Sequence, residues 1–410
     1  MNEATETTCW EIKGLKYLLL GLAFFLPISI SVSEPLAFMA VVLWLYTLRH
    51  SWARAQLRGN PLLMPVLLFA MVAVGVSLGF GVRPLLSANK FHRLLFLGLV
   101  FVFDAALSRE RAVCSLKNLR LVMMAYLAGC TVLGMIDAVR IPLYAWRGGN
   151  IFDAGSMRDP QFYMVALCLL ASAFLSGLPH KMLWPWLTAS FFSLLGIILH
   201  FKRGVWLALI GVLALMACMV RRRSLLLVLL AGILIGLAVP QVRVRLANLR
   251  EVFTPRSGDR YVLWTDTAPT LFREFPLGMG WCAVTQRDFA LYSSRPVQPK
   301  LNHLHNNLLQ VRLELGWAGV VAWCLLMGLG WYRLWRGGRK TNLPGEHWKW
   351  MGAGLTCGLS GLLINGMVES NFGDTEIMML FCLLLGCGAV LHRMRIPEKA
   401  ADEIKAVTDE

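Results

Sequence analysis

Apolar runs of roughly twenty residues recur along the chain from Leu15 to Leu391, divided by short polar segments rich in arginine and lysine. A run of that length covers a bilayer core of about 30 Å. In hydrocarbon each backbone N–H and C=O must be paired within its own segment, so repeated runs of this kind predict helices. The pattern places spans at 15–33, 35–48, 62–80, 92–107, 120–139, 161–177, 183–200, 204–220, 224–240, 306–332, 350–369 and 375–392. The expected fold class is an all-α polytopic membrane protein with about 12 transmembrane helices. The polar, mixed-charge segment Asn2–Lys16 precedes the first run, and nothing after it has the small-residue pattern of a cleavage site. The first run is therefore expected to be a spanning helix rather than a removable signal peptide.

An even number of spans puts both termini on one side. The short loops on that side, with the two tails, hold 22 basic residues, among them Arg221, Arg222, Arg223, Arg333, Arg336 and Arg339, against 8 in the short loops opposite. Basic residues gather on the cytoplasmic side, so both ends are placed inside. Four parts result: spans one to nine over 1–240, a large outer loop over 241–304, the last three spans over 305–393, and a cytoplasmic tail over 394–410.

Composition agrees with this class. Only 16% of the residues are charged and 57% are apolar, where a soluble domain is about a quarter charged. The net charge of +16 follows the cytoplasmic bias that holds helices against anionic headgroups, and no soluble basic domain or RNA-binding signature accompanies it. Membrane lipids are the expected partners, and nucleic acid is not. Of the ten cysteines only Cys282 falls in the large outer loop, and there is no CxxC. Neither a disulfide framework nor a zinc site is indicated, and no cofactor is expected.

The outer loop changes the picture. A connector of this length is functional or disordered, and 241–304 has helical periodicity in Val242, Leu246 and Leu249, with Tyr261, Trp264 and Phe272 available for packing. It is expected to be a folded cap. Its basic residues, Arg243, Arg245, Arg250, Arg256, Arg260, Arg273, Arg287, Arg295 and Lys300, outnumber Glu251, Asp259, Asp266, Glu274 and Asp288. Other outer loops add Arg83, Lys90, Arg93, Lys202 and Arg203. A guanidinium is a planar fork that grips two phosphate oxygens at once. Single arginines commonly snorkel to headgroups, but the set as a whole points to an anionic, phosphate-bearing ligand at the outer leaflet.

The segment from Asn302 to Gly319 leads out of this loop into the tenth span. On a continuous helix Arg312 and Gly316 return close to the azimuth of His305, with Gly319 not far off. That predicts a stripe from an imidazole at the surface, through a charge, to glycines that admit a neighbouring helix. An ionisable residue within a span, such as Arg312, is a functional candidate by default. An imidazole can accept a proton from an attacking hydroxyl near neutral pH, and either His303 or His305 could do so from this position.

The run from His305 to Gly319 resembles the histidine motif of the O-antigen ligase family. Arg203-Gly204-Val205-Trp206-Leu207-Ala208 resembles the arginine motif that opens a late span in that family. Arg260-Tyr261-Val262-Leu263-Trp264, followed by Pro276-Leu277-Gly278-Met279-Gly280, resembles the loop signature of the wider ligase and O-antigen polymerase superfamily. The resemblance implies a GT-C-like glycosyltransferase in the bacterial inner membrane, with a folded periplasmic loop and a site facing the periplasm. It would move a glycan from undecaprenyl diphosphate to a sugar of the lipid A core by metal-independent, inverting transfer. Carried over by motif, His305 would be the general base, with His303 beside it, and Arg203 and Arg260 would grip the diphosphate. Arg83, Lys90 and Arg312 join them as candidate phosphate ligands on residue chemistry. An O-antigen polymerase or a protein O-oligosaccharyltransferase would share much of this pattern. A lipid-linked saccharide flippase is disfavoured, because the halves show no internal repeat and few charges lie mid-span.

Overall fold

The computed structural model describes residues 3–107, 112–175, 183–220, 237–238, 240–247, 259–294, 302–339 and 351–393, and its regular elements there are helices. Five of them are long and apolar enough to cross a membrane: Ile30–Thr47, Ser115–Trp146, Arg203–Val220, Asn307–Gly337 and Thr375–Arg393. The Ser51–Arg58 and Leu63–Gly79 helices, bent by 83°, make a sixth if counted as one. Asp159–Leu175, Leu183–Leu199 and Met351–Asn365 are shorter and equally apolar. The expected ninth span, 224–240, falls almost wholly outside the described residues.

Several boundaries differ from the expected ones, each for a local reason. The first helix runs Glu3–Phe25 rather than 15–33. It stops short of Pro27, which has no N–H to continue the ladder. It extends back into the polar tail, where the buried carboxylate of Glu11 meets Arg49 at 2.7 Å. The next helix accordingly begins at Ile30. The helix expected over 120–139 reaches from Ala112 to Trp146. The span expected to run to 369 ends at Asn365, which leaves Glu369 in a loop.

At the centre lies the Thr375–Arg393 helix, 94% of whose apolar window is buried. From Ile377 to Leu391 its residues are apolar all round, the pattern of a helix enclosed by others. Around it pack Leu99–Leu107, Met351–Asn365 and Asn307–Arg339. Gly354, Gly358 and Gly361 of the Met351–Asn365 helix lie against Ser172, Val165 and Met164 of its neighbour, the small-residue contact by which membrane helices approach closely.

The segments expected on the outer side are built into this core. Trp281 is fully buried, and its ring meets Phe69 edge-on at 5.7 Å; Phe372, from the loop between the last two helices, meets Phe69, Trp323 and Phe381 in the same way. Above them Leu263, Ala268, Leu271, Met279, Phe289, Leu304 and Leu313 form a second, smaller core. Helices Pro240–Ala247, Asp259–Val262, Ala268–Glu274 and Gln286–Tyr292 stand within the expected cap, with a single π turn over Leu263–Thr267.

Candidate active site

The helix that follows the histidines starts at Asn307, and Asn306 caps it: its side-chain oxygen accepts from Leu309 N–H at 3.1 Å. Asparagine is a favoured N-cap because it satisfies an amide that the helix leaves open. His305 therefore stands before the helix, in the left-handed region at φ 50°. The expected stripe on one continuous helical face is overturned at both ends. At its lower end Gly316 breaks the helix with φ 66° and ψ −168°, a conformation that a Cβ penalises.

The break has a partner, though not the neighbouring helix that was expected. A Cβ on Gly316 would stand 2.7 Å from the carbonyl oxygen of Leu277, so the Pro276–Gly280 loop fills that space. The carbonyls of Leu313 and Glu314, stranded by the break, accept from Met279 N–H at 2.9 Å and Gly280 N–H at 2.8 Å. Two motifs distant in sequence thus close one joint. Arg312 serves the same joint: it donates to Pro276 O at 2.9 Å and its guanidinium lies over the rings of Phe272 and Trp317. Glu314 accepts from Gln310 at 2.7 Å and from Cys282 N–H at 2.9 Å.

What the joint presents is a compact ionisable group. His305 Nδ1 lies 2.8 Å from Glu369 Oε1, and Arg260 reaches Oε2 of the same carboxylate at 3.3 Å. The ring of His303 stands edge-on to that of His305 with centroids 4.2 Å apart, and its Nε2 is 3.9 Å from Glu369 Oε1. His303 Nδ1 accepts the backbone N–H of His305 at 3.3 Å. Burial would push the Glu369 carboxyl up, but the hydrogen bond and charge of His305, with His303 and Arg260 beyond, hold it below the usual carboxylate range. An ionised carboxylate can only accept, so Nδ1 is the His305 nitrogen that donates to it, and Nε2 is the ring nitrogen not engaged by Glu369. Burial, with the charge of His305 beside it, pushes the His303 imidazole down to about 4. Burial likewise draws the Arg260 guanidinium below its ordinary value despite Glu369.

The other candidates divide. Arg203 opens the Arg203–Val220 helix, half-buried. The next residue, Gly204, packs so closely that a Cβ would stand 2.8 Å from Asn365 Oδ1 and 2.9 Å from Val368 Cγ2. Arg203 thus begins its helix beside the loop that carries Glu369. Arg83 and Arg312, expected among the phosphate ligands, both bond protein partners. Arg83 grips Asp288 with two bonds of 2.8 and 2.7 Å and donates to Ala283 O at 3.0 Å, which holds its guanidinium above the ordinary value. Lys90 and Arg93 stand beside Cys282, whose thiol burial pushes up to about 12, and Arg93 also donates to Gly373 O at 3.0 Å.

Two features were missed from sequence. The apolar pattern places Glu369 at the end of a span, although its neighbours Ser370, Asn371, Gly373 and Asp374 form a polar stretch that marks a loop. The second is a buried network at the same ends of the bundle. Asp137 accepts from Tyr163 at 2.6 Å, His200 Nε2 at 2.8 Å and Arg140 at 2.6 Å. Arg140 also reaches Asp159 at 3.2 Å, and Arg158 joins Asp159 at 2.9 Å to Glu376. Each buried carboxylate here is matched by a cation or a hydrogen bond, the condition for keeping charge out of water. Among the described residues two sets of ligand atoms lie close enough to share a cation, His303 with His305 and Glu369, and Asp137 with Asp159 and His200.

No curated protein matches the chain. Residues 188–324 match a family model described as O-antigen ligase, the family that the histidine and arginine motifs resemble. The matched segment contains Arg203, Arg260, His303 and His305 and ends before Glu369. The match thus runs from the seventh expected span to the middle of the Asn307–Arg339 helix and takes in both motif-bearing segments.

Proposed function

We propose that this protein is an O-antigen ligase of the bacterial inner membrane, transferring a glycan from undecaprenyl diphosphate to the lipid A-core oligosaccharide on the periplasmic side. The observation that carries the reading is the trio His305, Glu369 and Arg260, a base oriented by a carboxylate with a guanidinium on the same carboxylate. His305 Nε2 takes the proton of the acceptor hydroxyl, and the hydroxyl oxygen forms the new bond to the anomeric carbon. The bond from that carbon to the diphosphate breaks, and the lipid diphosphate leaves with the electron pair. Glu369 offsets the charge that arrives on the imidazole. Arg260 and Arg203 face the charge that grows on the diphosphate, and fixed donors of this kind stabilise a transition state because they need no reorganisation.

The fold assigned with this reading is a GT-C-like bundle of about 12 spans with both termini in the cytoplasm. Reporter fusions at Arg222 and Arg339 should read cytoplasmic and a fusion at Arg256 periplasmic; a cytoplasmic signal at Arg256 would reverse the placement of the site. The activity is tested by reconstitution with purified undecaprenyl-diphosphate glycan and rough lipopolysaccharide, without added metal. Glycan on the lipid A core supports the ligase. Lengthened glycan still on the lipid carrier would make the protein a polymerase instead, and glycan on an added acceptor protein would make it an oligosaccharyltransferase.

A further inference from the structure

His305 and Glu369 lie 64 residues apart, on two loops, and their contact depends on the register between those loops. Asn307 sits at the crossing. Its side chain is buried, with 2% exposed, and it makes three bonds to the Gly366–Phe372 stretch. Its backbone N–H donates to Gly366 O at 2.7 Å, its Nδ2 donates to Asn371 Oδ1 at 2.6 Å, and its Oδ1 accepts Phe372 N–H at 3.0 Å. Glu369 stands between these points. The far side of the loop is fixed as well: Asn371 Nδ2 donates to Gln161 at 2.8 Å and to Leu362 O at 3.0 Å, and Phe372 is enclosed by aromatic rings.

We infer that Asn307 is a positioning residue, setting the register between the strand of chain that carries His305 and the loop that carries Glu369. The inference rests on the base role given to His305 above. The chemistry of the position is specific, because the loop offers an acceptor at Asn371 and a donor at Phe372, and a primary amide answers both. An aspartate there would fill the same space and keep the bond to Phe372 N–H, but it would turn an oxygen toward Asn371 Oδ1. The three bonds of Asn307 go to the loop that carries Glu369 and none goes to the imidazole, so its effect on transfer runs through Glu369.

The test is a double-mutant cycle on the reconstituted full chain with Asn307→Asp, Glu369→Gln and both together, with His305→Ala alongside. Asn307→Asp, near-isosteric, should lower kcat roughly tenfold to hundredfold, the scale of a misplaced reacting group, with little change in the KM for lipid donor. In the Glu369→Gln background the same substitution should cost little more, because residues acting through one contact are not additive. Each variant should run as a single species in detergent at the wild-type position, and Asn307→Ser serves in its place if the aspartate variant does not. Losses that multiply in the double variant, with His305→Ala inactive, overturn the positioning role alone. Full turnover in His305→Ala overturns the base assignment and this inference with it.

Discussion

Trp264 donates its indole N–H to the carbonyl oxygen of Leu304 at 2.7 Å. Leu304 lies between the two histidines, and Trp264 stands one helical turn from Arg260. The opposite side of the same residue is also held, as Leu304 N–H donates to Gln310 at 2.9 Å. The bond from Trp264 therefore fixes the arginine-bearing segment to the histidine-bearing one.

Trp264→Phe keeps an aromatic filler in the small outer core but leaves the fully buried Leu304 carbonyl without this donor. An unsatisfied buried acceptor costs about 1–3 kcal/mol. We expect a lower thermal midpoint in detergent and a fall in transfer rate, measured on the same preparation. An unchanged rate and midpoint would mean that this bond does not organise the site.

How much of this was legible can be seen residue by residue. The apolar helices were, because hydrocarbon requires every backbone polar group to be paired within its own segment. His305, Arg203 and Arg260 could be singled out, because their residue types stand in motifs. The shape around His305 was not: an asparagine cap at Asn306 and a break at Gly316 replace one straight helix with a short piece set between two turns. Periodicity extrapolated from His305 assumed a helix that starts two residues later. Glu369 was hidden because its pairing is set by the crossing of two loops, and a carboxylate at a span's end looks the same whether it faces water or an imidazole. Arg83 shows the converse. Its charge was legible, but its partner Asp288, which takes both prongs of the fork, is 205 residues away.

Lysine in place of arginine keeps charge but loses the fork that spans two phosphate oxygens. Arg260→Lys and Arg203→Lys should both impair transfer, and the loss should appear in donor affinity and turnover together. Arg83→Lys should instead act on stability, since its fork is occupied by Asp288. Full activity in both of the first two variants would remove them from the diphosphate site.

Transfer should survive EDTA. His303, His305 and Glu369 are close enough to share a cation, so the outcome discriminates. The second oxygen of Glu369 faces Arg260, and fixed guanidinium groups can provide the charge stabilisation that a metal provides elsewhere. Activity lost in chelator and restored by a divalent cation would make this cluster a metal site.

The depressed imidazole of His303 makes a stability prediction. Its folded value of about 4 lies below the ordinary one near 6.5. Between those two values the unfolded chain binds a proton that the folded chain does not, so stability is lost as pH falls from about 6.5 to about 4 and levels off below. His303→Gln removes that contribution, so its midpoint should fall less between pH 7 and pH 4.5 than that of the wild type. Parallel midpoint curves for the two proteins would show that His303 is not held neutral by its surroundings.

His305→Ala should abolish or severely reduce transfer while donor binding stays largely intact. A sugar hydroxyl is a weak nucleophile, and a positioned base is worth about 10²–10⁴-fold in rate. The geometry favours His305 over His303 for that task, because Glu369 is bonded to its Nδ1 at 2.8 Å and the opposite nitrogen is left to meet the acceptor. His303 spends its Nδ1 on a backbone amide, and at about 4 it is too weak a base to gain much from a proton at neutral pH. His303→Ala should therefore be milder, with its effect in the acceptor KM. Under the proposed function the lipid diphosphate is held mainly by arginines, so its affinity should change little in either variant. Equal, near-wild-type turnover in both would sink the general base and leave charge stabilisation by Arg203 and Arg260 as the whole of the catalysis.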